Sequence, residues 1–99
     1  MTVQDQAEAG DARTAVVTIR NRRGLHARAA AKFVRLVADY EAEVEVLRGD
    51  TSVCGESIMG LMMLAAGPGT SITLTASGPQ ADDVLRALTD LVDRKFDED

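Results

Sequence analysis

The sequence predicts an α+β domain: a two-layer open-faced β-sandwich whose four-stranded antiparallel sheet carries three helices on one face. Three observations point there. Two segments, Ala27 to Tyr40 and Gln80 to Phe96, repeat apolar residues at three- and four-residue intervals. Short β-branched, alternating runs lie before and between them. A Gly-Asp pair joins two of those runs into a hairpin. The resulting order, β-α-β-β-α-β-α, suits one antiparallel sheet covered on a single side.

Each element has its own signal. Residues 1–13 are polar and acidic without apolar periodicity, so a flexible N-terminal tail is expected ahead of a domain spanning 14–99. Ala15 to Arg20 (AVVTIR) reads as the first strand, and Asn21 to Gly24 breaks the pattern. In the helix that follows, Ala30, Phe33, Val34, Val37 and Ala38 share one side, with Lys32, Arg35 and Asp39 largely opposite. Glu43 to Leu47 alternates, Gly49-Asp50 turns the chain, and Thr51 to Cys54 returns antiparallel. Ser57 is a natural N-cap for an apolar helix of at most about two turns, which stops before Gly67-Pro68-Gly69. Thr70 to Ser77 alternates, with Ile72, Leu74 and Ala76 on one face. Pro79 opens the last helix, where acids come early and Arg94-Lys95 late, as the helix dipole favours.

Ninety-nine residues, 45% of them hydrophobic, support one modest core. With only Phe33, Tyr40 and Phe96 as aromatics, that core must be chiefly aliphatic. A net charge of −5 argues against nucleic-acid binding by broad phosphate neutralisation. Cys54 is the only cysteine, which excludes an intramolecular disulfide and a Cys-rich metal site and fits a reducing cytoplasm. No apolar run approaches a membrane span, so a cytoplasmic protein without membrane contact is expected. No metal or cofactor motif appears, and GESIMG lacks the Lys-Ser/Thr pair of a phosphate-binding P-loop.

Against that acidic background Arg20, Arg22, Arg23 and Arg28 surround the only histidine, His26. A residue just ahead of a helix faces the unpaired N–H groups of the first turn and the positive end of the helix dipole. That environment holds anions and favours the neutral, nucleophilic form of the imidazole ring. A phosphoryl group on the ring would bring roughly two negative charges, which the backbone N–H groups of Ala27 and Arg28 and the Arg28 guanidinium are placed to stabilise. An isolated histidine is more often a weak surface cap. Here Gly24 permits an unusual turn, Leu25 anchors the loop, and an arginine follows two residues on.

The run Asn21-Arg22-Arg23-Gly24-Leu25-His26-Ala27-Arg28 resembles the active-site signature of the HPr family of bacterial phosphotransferase-system phosphocarriers. Ser57-Ile58-Met59-Gly60 resembles the family's second signature, and the form N-x-x-G-L-H-A-R is most similar to its nitrogen-related (NPr) branch. The resemblance implies a monomeric carrier, not a stand-alone catalyst. It receives phosphate from phosphoenolpyruvate-charged enzyme I on the Nδ1 atom matching His26, and an EIIA-type protein then takes the group. It also implies that Arg28 stabilises the phosphate and that HPr kinase/phosphorylase acts on Ser57. Ala29 stands where the family usually has proline, and Glu56 where it often has a basic residue.

The stretch after Ser57 carries more apolar residues than one buried helix face absorbs, so part of it is expected to be exposed. Methionines there can repack against partners of different shape. Leu25, Ile58, Met59 and Met62 are accordingly expected to form a docking face. Two rival readings stay open at this level. A ligand-sensing module would need a concave pocket, and a pure interaction subunit would use the methionine helix without the histidine.

Overall fold

The computed structural model describes residues 12–98. The strands are β1 (Arg13–Thr18), β2 (Glu43–Arg48), β3 (Thr51–Cys54) and β4 (Ser71–Ser77), and the helices are α1 (Ala27–Ala38), α2 (Ile58–Met63) and α3 (Ala81–Asp93). The strands form one antiparallel sheet in the order β1-β4-β2-β3. β4, sixth of the seven elements in the chain, lies between β1 and β2, so the N- and C-terminal halves of the fold are paired through it. Most of the tail expected over 1–13 lies outside the described residues, but Arg13 already belongs to β1, opposite Ala76.

Alternation decides which sheet face is buried. Ile72, Leu74 and Ala76 of β4, Val44 and Val46 of β2 and Val17 of β1 are all buried. Against them pack Ala29, Ala30, Phe33 and Val37 of α1, Leu61 of α2, and Val84, Leu88, Leu91 and Val92 of α3. On the outer face the larger apolar residues are Val16, which is 67% exposed, and the half-buried Leu47, set among polar residues such as Ser52 and Thr73.

Two helix ends differ from the sequence expectation. α1 stops at Ala38, where Asp39 N–H donates to Leu36 O and Tyr40 N–H to Val37 O (3.1 Å each). α3 stops at Asp93, and the chain then makes a turn in which Lys95, Phe96 and Asp97 have φ of 60°, 55° and 62°. Three successive non-glycine residues in the left-handed region cost about 1–2 kcal/mol each. Burial of the Phe96 ring, which is fully enclosed, opposes that cost with about 1.5–3 kcal/mol. Phe96 satisfies the apolar spacing of the helix, but it reaches the core by this reversal.

The loop between β1 and α1 is tied to the segment between α2 and β4. Ile19 N–H donates to Thr70 O (2.8 Å), Gly69 N–H to Ile19 O (2.8 Å) and Leu25 N–H to Ala66 O (3.0 Å). Arg48 donates to Leu64 O (2.8 Å) and Ala65 O (3.1 Å), filling carbonyls left open at the end of α2. Gly24 sits at φ +65° where the two segments meet, and a Cβ on it would lie 2.3 Å from Ala66 O. Gly49 has a similar φ, +59°, with nothing within 4 Å.

This contrast separates backbone conformation from close approach. Gly49→Ala should cost about 1 kcal/mol, the left-handed penalty alone. Gly24→Ala should cost at least twice that, because backbone must also move. Urea unfolding midpoints check this, and equal losses would mean that the approach of Gly24 to Ala66 is not a constraint.

Candidate functional site

His26 is the N-cap of α1. Its backbone is extended (φ −75°, ψ 177°), its carbonyl accepts the first helical bond from Ala30 N–H (2.8 Å), and its Nδ1 accepts from Arg28 N–H (3.3 Å). The imidazole takes the place that a serine or aspartate oxygen usually fills. The first turn carries no acidic residue, so nothing in it competes for an incoming anion.

The other ring nitrogen, Nε2, pairs with the carboxylate of Glu98, and both side chains are about four-fifths buried, at 18% and 19% exposure. An ionised carboxylate only accepts, so the proton sits on Nε2 and the Nδ1 lone pair faces the helix N-terminus. Asn21, 1% exposed, donates from its Nδ2 to Gly24 O (2.8 Å) and to Glu98 Oε1 (3.1 Å). A single amide thus holds both the loop that carries His26 and the carboxylate that touches it. Burial pushes the Glu98 carboxyl up, but hydrogen bonds from His26 and Asn21 and the nearby charge of Arg23 outweigh this and hold it below its ordinary value.

The left-handed turn delivers Glu98 to the ring. Phe96 anchors the turn in the core, Lys32 Nζ donates to Phe96 O (2.7 Å), and Arg94 Nε donates to Asp97 (3.0 Å). Arg22, Arg23, His26, Arg28, Lys32, Asp97 and Glu98 line an open cleft of about 680 Å³. Three of the four arginines singled out in the sequence therefore meet at the histidine. Arg20 lies apart, 3.8 Å from Asp93.

Ser57 caps α2, its Oγ accepting from Gly60 N–H at 2.9 Å. Leu61 and Leu64 are buried, while Ile58, Met59, Met62 and Met63 are exposed and together line an apolar hollow. α2 packs on α1, so this surface belongs to the same layer as the histidine helix. Leu25, grouped with the docking residues on sequence grounds, is only 5% exposed. The hydrogen bond to Ala66 and the core beneath draw it inward, so it anchors the loop and offers no docking surface. Met63 takes its place at the surface.

Sequence reasoning missed Asn21, Lys32, Glu98 and Met63. Asn21 and Lys32 sit beside the motif without a distinguishing pattern, and Glu98 lies 72 positions from His26. Only the turn at Lys95–Asp97 brings it there, and no periodicity announces that turn.

Comparison with known proteins places the site in context. A family model described as the PTS HPr component phosphorylation site matches residues 13–94. The phosphocarrier protein HPr of Pseudomonas aeruginosa is 52% identical over 83 residues, covering 83% of this chain and 92% of the relative. The phosphocarrier protein NPr of Shewanella violacea is 46% identical over 82 residues, covering 83% and 90%. A crystal structure of HPr from Thermoanaerobacter tengcongensis superposes with a TM-score of 0.84 at 34% identity, covering 88% of this chain and 98% of that one.

The lowered Glu98 carboxyl makes a prediction about stability. A group depressed in the folded state stabilises the fold above its unfolded value, here about pH 4.5, and loses that contribution as pH falls through the folded value. The stability gap between the unsubstituted protein and Glu98→Gln should therefore be constant just above about pH 4.5 and shrink below it. Urea unfolding between pH 3 and pH 6 measures this. A gap that stays constant or widens on acidification would contradict the contact.

Proposed function

The chain belongs to the HPr family of phosphotransferase-system phosphocarriers, and from that premise we propose that His26 accepts a phosphoryl group from enzyme I and hands it to an EIIA-type protein. One observation carries the assignment. The Nδ1 lone pair of His26 faces the first turn of α1 inside an arginine- and lysine-lined cleft.

The chemistry follows from that geometry. Nδ1 attacks phosphorus as the bond from phosphorus to the donor's leaving atom breaks, through a loose transition state that spreads charge over three equatorial oxygens. Stabilisation then comes mainly from positioned donors. Arg28 N–H, which touches Nδ1 in the unphosphorylated protein, becomes available to a phosphoryl oxygen, as does Ala27 N–H. The Arg28 guanidinium adds a charge-assisted bond. Exposed charge and a helix end hold the group by only about 0.3–1 kcal/mol each, which leaves it free to move on.

Ile58, Met59, Met62 and Met63 form the docking surface in this proposal, presenting adaptable apolar area to a donor and an acceptor in turn. Ser57 caps the helix beneath them. HPr kinase/phosphorylase acting there would place charge at the edge of that surface and slow the relay. The chain works in the cytoplasm as a carrier without cofactor.

Incubation with enzyme I and labelled phosphoenolpyruvate tests the proposal. The label should be acid-labile and alkali-stable, and absent from His26→Ala. Met59→Asp and Met62→Asp should fold normally yet accept and donate the group more slowly. Kinase and ATP should yield a phosphopeptide containing Ser57. Label retained in His26→Ala would overturn the assignment, unchanged kinetics in both aspartate variants would remove the docking surface, and an unmodified Ser57 would leave it a helix cap.

A further inference from the structure

We infer that Glu98 is a positioning residue for phosphoryl transfer, which fixes the ring of His26 in its Nε2-protonated form and stabilises the charge the ring gains on phosphorylation. The inference rests on His26 being the acceptor. It begins from the pairing itself: Nε2 of His26 meets a carboxylate that a buried asparagine holds from the other side. Asn21, Glu98 and His26 form a chain of hydrogen bonds ending on the reactive ring. Each link constrains the next, and the chain closes back on the loop through Asn21 and Gly24 O.

The backbone adds an independent observation. Lys95, Phe96 and Asp97, the three residues before Glu98, are all left-handed. Strain of this kind persists only where surrounding contacts over-determine it, and it gathers at functional sites. Here Phe96 in the core, Lys32 on Phe96 O and Arg94 on Asp97 impose it. A relaxed helical continuation of α3 would not follow the path that sets Glu98 against the ring.

The electron balance gives the carboxylate its role. As phosphorus arrives, the Nδ1 lone pair becomes the new nitrogen–phosphorus bond, and the donor atom leaves with the pair of the bond that breaks. The ring still carries its Nε2 proton, so it takes on positive charge. Glu98 remains ionised and faces that charge across the Nε2–H bond. The carboxylate of a Ser-His-Asp triad acts in the same way, orienting an imidazole and stabilising its cation without taking the proton. When the group departs, the ring leaves as neutral imidazole with the proton still on Nε2, ready for the next cycle.

The test uses the full chain and its Glu98→Gln variant. Glutamine keeps the size of the side chain, removes its charge and can donate as well as accept. In nitrogen-15 spectra of the unphosphorylated proteins, the original chain should have Nε2 protonated and Nδ1 bare, and the variant should populate both tautomers. Its phosphorylation by enzyme I should be slower by about tenfold, the lower end expected for a charged hydrogen bond. A variant with the original tautomer and the original rate would overturn the inference. The nitrogen spectra require no donor protein, whereas labelling of the unsubstituted chain reports on His26 itself. The two readings therefore fail separately.

Discussion

The imidazole of His26 is held at both nitrogens, and the rest of the site is arranged around that fact. Nδ1 meets the first turn of α1, and Nε2 meets Glu98. Neither contact would survive movement of the loop that carries the ring. The loop is accordingly fixed from three directions: to the segment before β4 by backbone hydrogen bonds, to Ala66 by the close approach at Gly24, and to Glu98 through Asn21. The sheet supplies the frame, because β4 pairs with both β1 and β2 and so sets the distance between the two tied segments.

Electrostatics explain how a chain of net charge −5 can handle a dianionic group. The cations are concentrated rather than numerous: Arg22, Arg23, Arg28 and Lys32 line one cleft. Two carboxylates, Asp97 and Glu98, share it. Glu98 is engaged by the ring and Asn21, and Asp97 by Arg94, whose hydrogen bond holds that carboxyl below its ordinary value. Both acids are thereby committed to local partners. In the proposed relay such a cleft attracts a phosphoryl group without trapping it, which is what a carrier requires.

Much of the fold was legible in the sequence because its signals are local. Alternation in Thr70 to Ser77 gave the buried face of β4, the Gly-Asp pair gave the hairpin, and Ser57 gave the cap of α2. His26, Arg28 and the exposed methionines were legible for the same reason, since a helix start and an excess of apolar residues are written over a few positions. What escaped depends on chain reversal. Phe96 fits the helical spacing of α3, yet it is buried through a left-handed turn, and that turn brings Glu98 to the ring. Leu25 was misplaced because an apolar residue beside a reactive histidine reads equally well as anchor or contact, and only the Ala66 hydrogen bond and the packing below decide for the anchor.

In the proposed relay it is Nδ1 of His26 that carries the phosphorus. Nitrogen–phosphorus correlation in a histidine-labelled, enzyme I-phosphorylated sample measures it directly. Phosphorus bonded to Nδ1 of His26, with Nε2 still protonated, is the predicted result. Phosphorus on Nε2, the nitrogen that faces Glu98, or on any residue other than His26, would contradict it.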